Sequence, residues 1–256
     1  RPSTRPPEGS TTSVCRHLAH LGPPITLESL VLAAPHSLQD QARHARFQRD
    51  GSRNADGFGI GWYDRSIRPE PARHRTAKPI WDDASFASFA GLVRSSAIVA
   101  AVRHASPGMP IEESGSAPFT ADEWLFSLNG FVVDFHEGVG DELRSRVSER
   151  RLSGIEGVTD SEVLFGLVLD QLDAGASPAD ALAHTVKLAE DVSTGRLNLL
   201  LSDGERVVAT AVGNSLFELD GTIVASEPLD DRPGWKQLPD RSLVELGPAG
   251  PTCTTL

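Results

Sequence analysis

The sequence predicts a single α+β domain in which helices cover two packed β-sheets. Apolar strands dominate the first part of the chain, two consecutive amphipathic helices follow, and strands dominate again from residue 196 onward. This order suits two sheets packed face to face with helices on the outside. The turns between the C-terminal strands are short, which favours mostly antiparallel pairing.

Composition excludes several classes of partner. The chain has 256 residues, 39% of them hydrophobic, so it is long enough to bury a sizeable core. A net charge of -11 argues against nucleic acid or an anionic membrane surface as a partner. No apolar run approaches the ~20 residues of a transmembrane helix, and the two cysteines do not make a disulfide framework. We therefore expect a cytoplasmic protein.

The first fourteen residues differ from the rest of the chain. Residues 1–14 contain three prolines and have no apolar residue before Val14. Such a segment buries too little surface to offset the entropy of ordering, so we predict that it is disordered. No later linker divides the chain, and residues 15–256 are predicted to form one domain.

Apolar runs and helix caps place the individual elements. Strands are predicted at 15–21, 57–64, 97–104, 123–132, 196–202, 206–212, 215–219, 222–226 and 242–246. Helices are predicted to begin at the capping residues Thr26, Asp82, Thr159 and Ser177, with further helix within 134–156. The glycines of GFGIGWYD (57–64) indicate that the backbone of this strand closely approaches another part of the protein. Residues 35–56 are polar and are interpreted as a long loop, and GPP (22–24) is expected to end the first strand.

Cys15 is the first candidate for chemistry. A lone cysteine is usually a small core residue. Cys15, however, stands where order begins, next to Arg16 and His17, which favour the thiolate. If Cys15 were residue one of the mature chain, its α-amine (reference pKa about 7.7–8.0) would be a built-in base. Cys253, in the Pro- and Thr-rich tail, is given no role.

Arg103 ends an apolar strand in the sequence VRHAS. It either forms a salt bridge with a loop or acts as a bidentate clamp for a carboxylate, which suits its planar guanidinium group. Ser106 would add a hydroxyl to the same anion. His104 is either a wall of the pocket or a loop histidine with its hydrogen bonds satisfied.

Two further positions carry suitable polar groups. Asn129 and Gly130 either form a type I′ hairpin turn or supply an amide and a backbone N–H to an oxyanion hole. Asp160, in the first turn of a helix, either complements the helix dipole or binds a substrate ammonium group.

The order of these motifs resembles the class II glutamine amidotransferases, which belong to the N-terminal-nucleophile hydrolases. The resemblance is carried by Cys15 at the start of the fold, RHAS (103–106), NG (129–130) and TDSE (159–162). Three further segments fit the same family, namely NADG (54–57), SAPF (116–119) and ASEP (225–228). The resemblance therefore spans nearly all of residues 15–247.

Membership of that family implies a four-layer αββα sandwich and a set of roles. Cys15 would be the nucleophile with its α-amine as base, and Asn129 and Gly130 would stabilise the oxyanion. Arg103 and Ser106 would bind the α-carboxylate of a γ-glutamyl group, and Asp160 its α-ammonium group. His104 would belong to the same substrate site, although synthase-linked relatives tend to carry Trp there.

Within the family, CRHLAHLG, KPIWDDASFAS and VRHASPGMPIE are most similar to the γ-glutamyl hydrolases of bacterial ergothioneine biosynthesis. This similarity implies a small-molecule substrate, γ-glutamyl-hercynylcysteine S-oxide, cleaved through a cysteine thioester to release glutamate. Neither a metal nor a cofactor is needed for such chemistry, and the chain has no convincing metal-ligand spacing.

Several alternatives stay open. A glutaminase that passes ammonia to a separate synthase would use the same site, and an inactive interaction module could share the fold. Val14 is interpreted as a GTG start codon whose product is trimmed to expose Cys15, with removal of a propeptide as the second choice. The sequence leaves open whether the protein is a homo-oligomer.

Overall fold

The structure is a computed structural model that describes residues 15–47, 53–106 and 108–256. Its strands are β1 (Arg16–Thr26), β2 (Phe58–Trp62), β3 (Ala72–Thr76), β4 (Arg94–Val102), β5 (Phe119–Ala121), β6 (Trp124–Val132), β7 (Gly195–Ser202), β8 (Val207–Ala211), β9 (Phe217–Leu219), β10 (Ile223–Ala225), β11 (Lys236–Gln237), β12 (Ser242–Leu246) and β13 (Thr252–Thr255). Its α-helices are α1 (Leu27–Val31), α2 (Leu38–His44), α3 (Ala84–Ala90), α4 (Val139–Ser145), α5 (Glu149–Leu152), α6 (Asp160–Asp173) and α7 (Pro178–Val192). The extension predicted to be disordered, residues 1–14, lies outside the described residues.

The strands form two antiparallel sheets. The first has seven strands in the order β11-β9-β10-β1-β4-β2-β3, and the second has six in the order β13-β12-β8-β7-β6-β5. The strand that follows Cys15, β1, is thus the central strand of the first sheet. Among the described residues, no helix combines the length and apolar character that crossing a membrane requires.

Successive side chains along a strand point to opposite faces of its sheet, so neighbouring residues pack into different hydrophobic cores. There are three such cores, and they lie between four layers. Leu18 of β1 packs with α1, α2 and α3 on the outer face of the first sheet. Ala19, its neighbour in sequence, packs with Leu125 of the second sheet in the space between the sheets. Phe126 packs with α6 and α7 on the far face of the second sheet. The predicted α+β sandwich is confirmed, with the layer order helix, sheet, sheet, helix.

The glycines of β2 allow the two sheets to come together. A Cβ atom at Gly59 would lie 2.5 Å from the carbonyl oxygen of Ala117, and one at Gly61 would lie 2.6 Å from Cδ1 of Leu125. Real Cβ atoms do not approach other atoms this closely, so a side chain at either position would force the sheets apart. The predicted close approach is confirmed.

Three local predictions were wrong. The region 35–56 contains α2, which Ser37 caps by accepting the Asp40 N–H. Only Leu38 and Ala42 supply apolar burial there, so the helical periodicity is faint in the sequence. The first strand continues past GPP (22–24) because its pairing with β4 shifts between Leu21 and Ile25, leaving the two prolines outside the regular ladder. Finally, α3 is capped by Asp83, since Asp82 belongs to a preceding 3₁₀ turn.

Candidate active site

A cavity of about 400 Å³ lies where β1 begins and β4 ends. The two strands pair antiparallel, with Arg16 opposite Val102, so Cys15 and Arg103 meet at the same end of the sheet. The segment around Gly130 and the start of α6 close the other side. Six of the seven site residues predicted from the sequence line this cavity, namely Cys15, Arg103, His104, Ser106, Gly130 and Asp160.

Cys15 is half-buried at the base of the cavity. Its Sγ atom is 3.9 Å from the carbonyl oxygen of His104, and its own carbonyl accepts a hydrogen bond from Nη1 of Arg16 at 2.9 Å. Burial raises the pKa of the Cys15 thiol, while the nearby Arg103 guanidinium acts in the opposite direction. Because burial prevails, the thiol is protonated at neutral pH and attack on a substrate requires a base.

Arg103 is held in place by the loop that follows it. The side chain is only 7% exposed, and Nη1 and Nη2 both donate to the carbonyl oxygen of Pro110, at 3.2 and 3.1 Å. Gly115 packs against the guanidinium, where a Cβ atom would lie 2.7 Å from Cζ. A guanidinium has five N–H donors, so this anchoring leaves donors for an anion in the cavity.

His104 fits both interpretations made from the sequence, because it lines the cavity and is also tied to a loop. Its Nδ1 atom is 3.0 Å from the carbonyl oxygen of Arg53 and 3.5 Å from Oδ2 of Asp56. The same Asp56 oxygen accepts the Ala105 N–H at 2.8 Å. Ser106, the next residue in the cavity wall, is fixed through its carbonyl, which accepts the Met109 N–H at 3.0 Å.

Asn129 and Gly130 lie within β6, opposite Asn198 and Leu197 of β7, so the hairpin-turn alternative is wrong. Gly130 faces the cavity, and a Cβ atom there would lie 1.8 Å from the carbonyl oxygen of Arg196. Only glycine is therefore compatible with this pairing of β6 and β7. Asn129 is fully buried behind the cavity wall.

Asp160 is fixed at the N-terminus of α6 by a capping box. The Thr159 side chain accepts the Glu162 N–H, and the Glu162 carboxylate accepts the Thr159 N–H in return. The Asp160 carboxylate accepts hydrogen bonds from the N–H groups of Val132, at 3.0 Å, and Ser161, at 2.7 Å. Burial raises the pKa of this carboxyl above its ordinary value, with the hydrogen bonds opposing the change. The carboxylate thus joins α6 to the end of β6 beside the cavity.

A buried ion pair behind Cys15 was not predicted. Arg16 is 1% exposed, and its Nε atom is 3.0 Å from Oε1 of Glu227, which is fully buried. The Glu227 carboxylate also accepts the backbone N–H groups of Arg46, at 2.7 Å, and Phe47, at 3.1 Å. The sequence shows a charged residue at the start of one apolar strand, Arg16, and another just after a second apolar strand, Glu227. Nothing in the sequence pattern indicates that the two form a pair. The pair positions the carbonyl of Cys15 through Arg16.

His17 is also buried beside the site. Its Nδ1 atom is 3.2 Å from the Ser127 hydroxyl. Burial, with the adjacent Arg16 charge, lowers the pKa of His17 to about 3, so the imidazole is neutral at physiological pH. In the part of the chain that the structure describes, no group of three or more His, Cys, Asp or Glu side chains is arranged to hold a metal ion.

The fold and the arrangement of the site residues indicate one class of protein, and comparison with known families indicates the same class. The family described as "Glutamine amidotransferases class-II" matches residues 36–222 of this chain. The chain therefore belongs to this family. The structure of a glutamine aminotransferase class-II domain protein from Silicibacter pomeroyi superposes on this protein with a TM-score of 0.68 at 26% identity. The superposition covers 94% of this chain and 99% of the other. The glutamine phosphoribosylpyrophosphate amidotransferase of B. subtilis shares the fold, with a TM-score of 0.63 at 16% identity, over 94% of this chain and 49% of that one. The predicted family and fold class are confirmed.

Closer relatives carry a specific name. A protein of Mycobacterium tuberculosis (strain CDC 1551 / Oshkosh) named gamma-glutamyl-hercynylcysteine sulfoxide hydrolase is 42% identical over 247 residues, which is 95% of this chain and 97% of the relative. A protein of the same name from Mycolicibacterium smegmatis is 41% identical over 248 residues, covering 95% and 100%. The resemblance to the ergothioneine-pathway hydrolases is therefore confirmed at the level of sequence.

Proposed function

We propose that this protein hydrolyses the γ-glutamyl amide bond of γ-glutamyl-hercynylcysteine S-oxide and releases glutamate. The observation that carries the proposal is the presence of a thiol, a guanidinium and a carboxylate, from Cys15, Arg103 and Asp160, in one cavity. The names of the mycobacterial relatives support the same substrate. The family match begins at residue 36 and does not include Cys15. The role proposed for Cys15 is therefore supported by its position in this cavity.

Recognition of the γ-glutamyl group follows from its two charges. The planar guanidinium of Arg103 pairs with the α-carboxylate, with the Ser106 hydroxyl as a further donor. The Asp160 carboxylate pairs with the α-ammonium group. Holding both charges places the γ-carbonyl carbon next to Sγ of Cys15, and positioning of this kind lowers the barrier by several kcal/mol.

The reaction then proceeds in two steps. The Cys15 thiolate attacks the γ-carbonyl carbon, and the resulting oxyanion accepts hydrogen bonds from the Gly130 N–H and the Asn129 amide. The C–N bond breaks, the amine leaves with a proton returned by the base, and a γ-glutamyl thioester remains. Water attacks the thioester with the same base accepting its proton, which releases glutamate and regenerates the thiol.

The α-amine of Cys15 is the base in this proposal. Burial keeps the thiol protonated, so a group that titrates near neutral pH has to accept its proton. An α-amine has this property when it is free. The proposal therefore includes a mature protein in which Cys15 is the first residue and residues 15–256 form the catalytic domain.

Glutamate release from γ-glutamyl-hercynylcysteine S-oxide and from glutamine is the direct test. We expect the γ-glutamyl sulfoxide to be strongly preferred, and Cys15→Ala to lower kcat by on the order of 10³-fold or more with the fold intact. Cys253→Ala is the matched control because Cys253 is exposed on the edge strand β13, and it should retain full turnover. Preference for glutamine would favour the glutaminase alternative, and turnover by Cys15→Ala would remove the assigned nucleophile.

A further inference from the structure

Ser226 lies directly behind the proposed oxyanion site. It follows the last residue of β10, and its backbone N–H donates to the carbonyl oxygen of His17 at 2.9 Å. This bond continues the pairing of β10 with β1 by one residue. The serine is fully buried, and its side chain is on the same face of the strand as Val224, which packs between the two sheets.

The Ser226 hydroxyl makes three hydrogen bonds of ordinary length. It accepts the His17 N–H at 3.0 Å and donates to the His17 carbonyl at 3.1 Å. It also accepts a hydrogen bond from Nδ2 of Asn129 at 3.0 Å. A hydroxyl has one hydrogen and two acceptor sites, so its capacity is filled.

These bonds connect the two halves of the site across the space between the sheets. His17 is on β1, two residues after Cys15, whereas Asn129 is on β6 of the other sheet. The bond between His17 and Ser127, which lies two residues before Asn129 on the same face of β6, is a second link between the same strands. The distance from the nucleophile to the amide is therefore set by polar contacts as well as by apolar packing.

The Ser226 hydroxyl also fixes the orientation of the Asn129 side-chain amide. The Asn129 side-chain oxygen is buried and has no hydrogen-bond partner among the described residues, so the bond from Nδ2 to Ser226 is the polar contact that fixes the amide plane. The terminal torsion of an asparagine is otherwise broad. An NH₂ group has two hydrogens; Ser226 accepts one of them, and the proposed function assigns the other to the oxyanion.

We propose that Ser226 is a positioning residue for this reaction: its hydroxyl orients the Asn129 amide toward the carbonyl oxygen of a γ-glutamyl substrate bound at Cys15. This inference rests on the proposed function. The effect is confined to the charged intermediate, because among the described residues Ser226 makes no hydrogen bond with Arg103 or Asp160, the proposed ligands of the glutamyl head group. Loss of the hydroxyl therefore lowers kcat and leaves KM nearly unchanged.

Steady-state kinetics of Ser226→Ala test the inference. Since removing one oxyanion donor costs about 10²–10³-fold in kcat, a misoriented donor should cost about 10–100-fold, with KM within about 3-fold of wild type. Ser95→Ala is the matched control. Ser95 is 3% exposed and its hydroxyl also makes three hydrogen bonds. It lies seven residues, or about 24 Å, from the site end of β4. The control should lose comparable stability without loss of kcat.

A double-mutant cycle separates positioning from a purely structural role. If Ser226 acts through Asn129, adding Ser226→Ala to Asn129→Ala should lower kcat no further, whereas independent effects would multiply. Multiplied losses, or wild-type kcat in Ser226→Ala, would overturn the inference. If Ser226→Ala does not fold, Ser226→Cys keeps the branching of the side chain with a weaker hydrogen-bonding group and should show the same loss of kcat. Absence of hydrolysis by the wild-type protein would instead count against the proposed function.

Discussion

Asp160 is the residue for which the proposed function and the stability of the fold make opposite demands. Asp160 is half-buried at the start of α6, and partial loss of solvent raises the pKa of its carboxyl above the ordinary value. The folded state therefore favours the protonated form more than the unfolded chain does. The proposed binding of an α-ammonium group nevertheless requires the ionised form, so at neutral pH the ionised carboxylate lowers the stability of the folded state.

We predict that Asp160→Asn separates stability from activity. A group whose pKa is raised by folding contributes stability at low pH and loses that contribution as the pH rises through its folded-state pKa. At pH 7 the neutral variant should melt no lower than wild type, and any advantage should shrink as the pH is lowered. The value of kcat/KM should fall about 10²-fold because the charge that pairs with the substrate ammonium is lost. Melting curves at several pH values and steady-state kinetics provide both readouts.

Asp180 offers the matched control. It is exposed in the first turn of α7 and accepts a hydrogen bond from the capping residue Ser177. Asp180→Asn should lower stability by about 0.3–1 kcal/mol through the helix dipole and leave kcat/KM unchanged. A strongly destabilised Asp160→Asn protein with normal kinetics would contradict the role assigned to Asp160.

At the scale of elements, the buried Arg16–Glu227 pair joins β1 to the segment after β10 and to the backbone of residues 46 and 47. Taking two charges out of water is costly, and the pair offsets that cost only while both members are present. Since Arg16 also donates to the carbonyl of Cys15, the pair contributes to the position of the proposed nucleophile as well as to the packing of the strands.

We expect Glu227→Gln to lower the free energy of unfolding by about 3–5 kcal/mol, because Arg16 loses its carboxylate partner in a buried environment. Glu190→Gln is the control. Glu190 accepts two hydrogen bonds from Arg241, at 2.7 and 3.0 Å, on the exposed surface of the protein. Exposed pairs of this kind contribute about 0–1 kcal/mol. Urea unfolding of the two variants measures the difference, and equal losses would show that burial of the Arg16–Glu227 pair is unimportant.

The elements also show what the sequence can and cannot predict. The sequence could indicate Arg103 and Asp160 as candidates because one follows an apolar strand and the other lies in the first turn of a capped helix, which are local patterns, and both line the cavity. The helix α2 was missed because it buries only two apolar side chains. Ser226 and Glu227 received no role because their partners His17 and Arg16 lie 209 and 211 residues away in the chain. Contacts at such separations are decided by sheet order, which periodicity does not encode.

At the scale of the whole molecule, the sandwich brings together groups from widely separated parts of the chain. Cys15 lies at the start of the central strand of the first sheet, and Arg103 follows the adjacent strand β4. Gly130 comes from the second sheet, and Asp160 begins the helix layer beyond it. The site therefore depends on the relative placement of three of the four layers. The proposed thiol chemistry also needs an α-amine at Cys15, so the fold is active in this account only when Cys15 is the first residue.

Intact-mass analysis of protein quenched during turnover tests this claim most directly. Two forms would be compared, one beginning at Cys15 and one that retains residues 1–14, each mixed with γ-glutamyl-hercynylcysteine S-oxide and quenched in acid. The form beginning at Cys15 should gain the mass of one γ-glutamyl group, and peptide mapping should place the group on Cys15. The longer form should gain none and release no glutamate. A γ-glutamyl thioester with full turnover in protein that retains residues 1–14 would rule out the α-amine of Cys15 as the base.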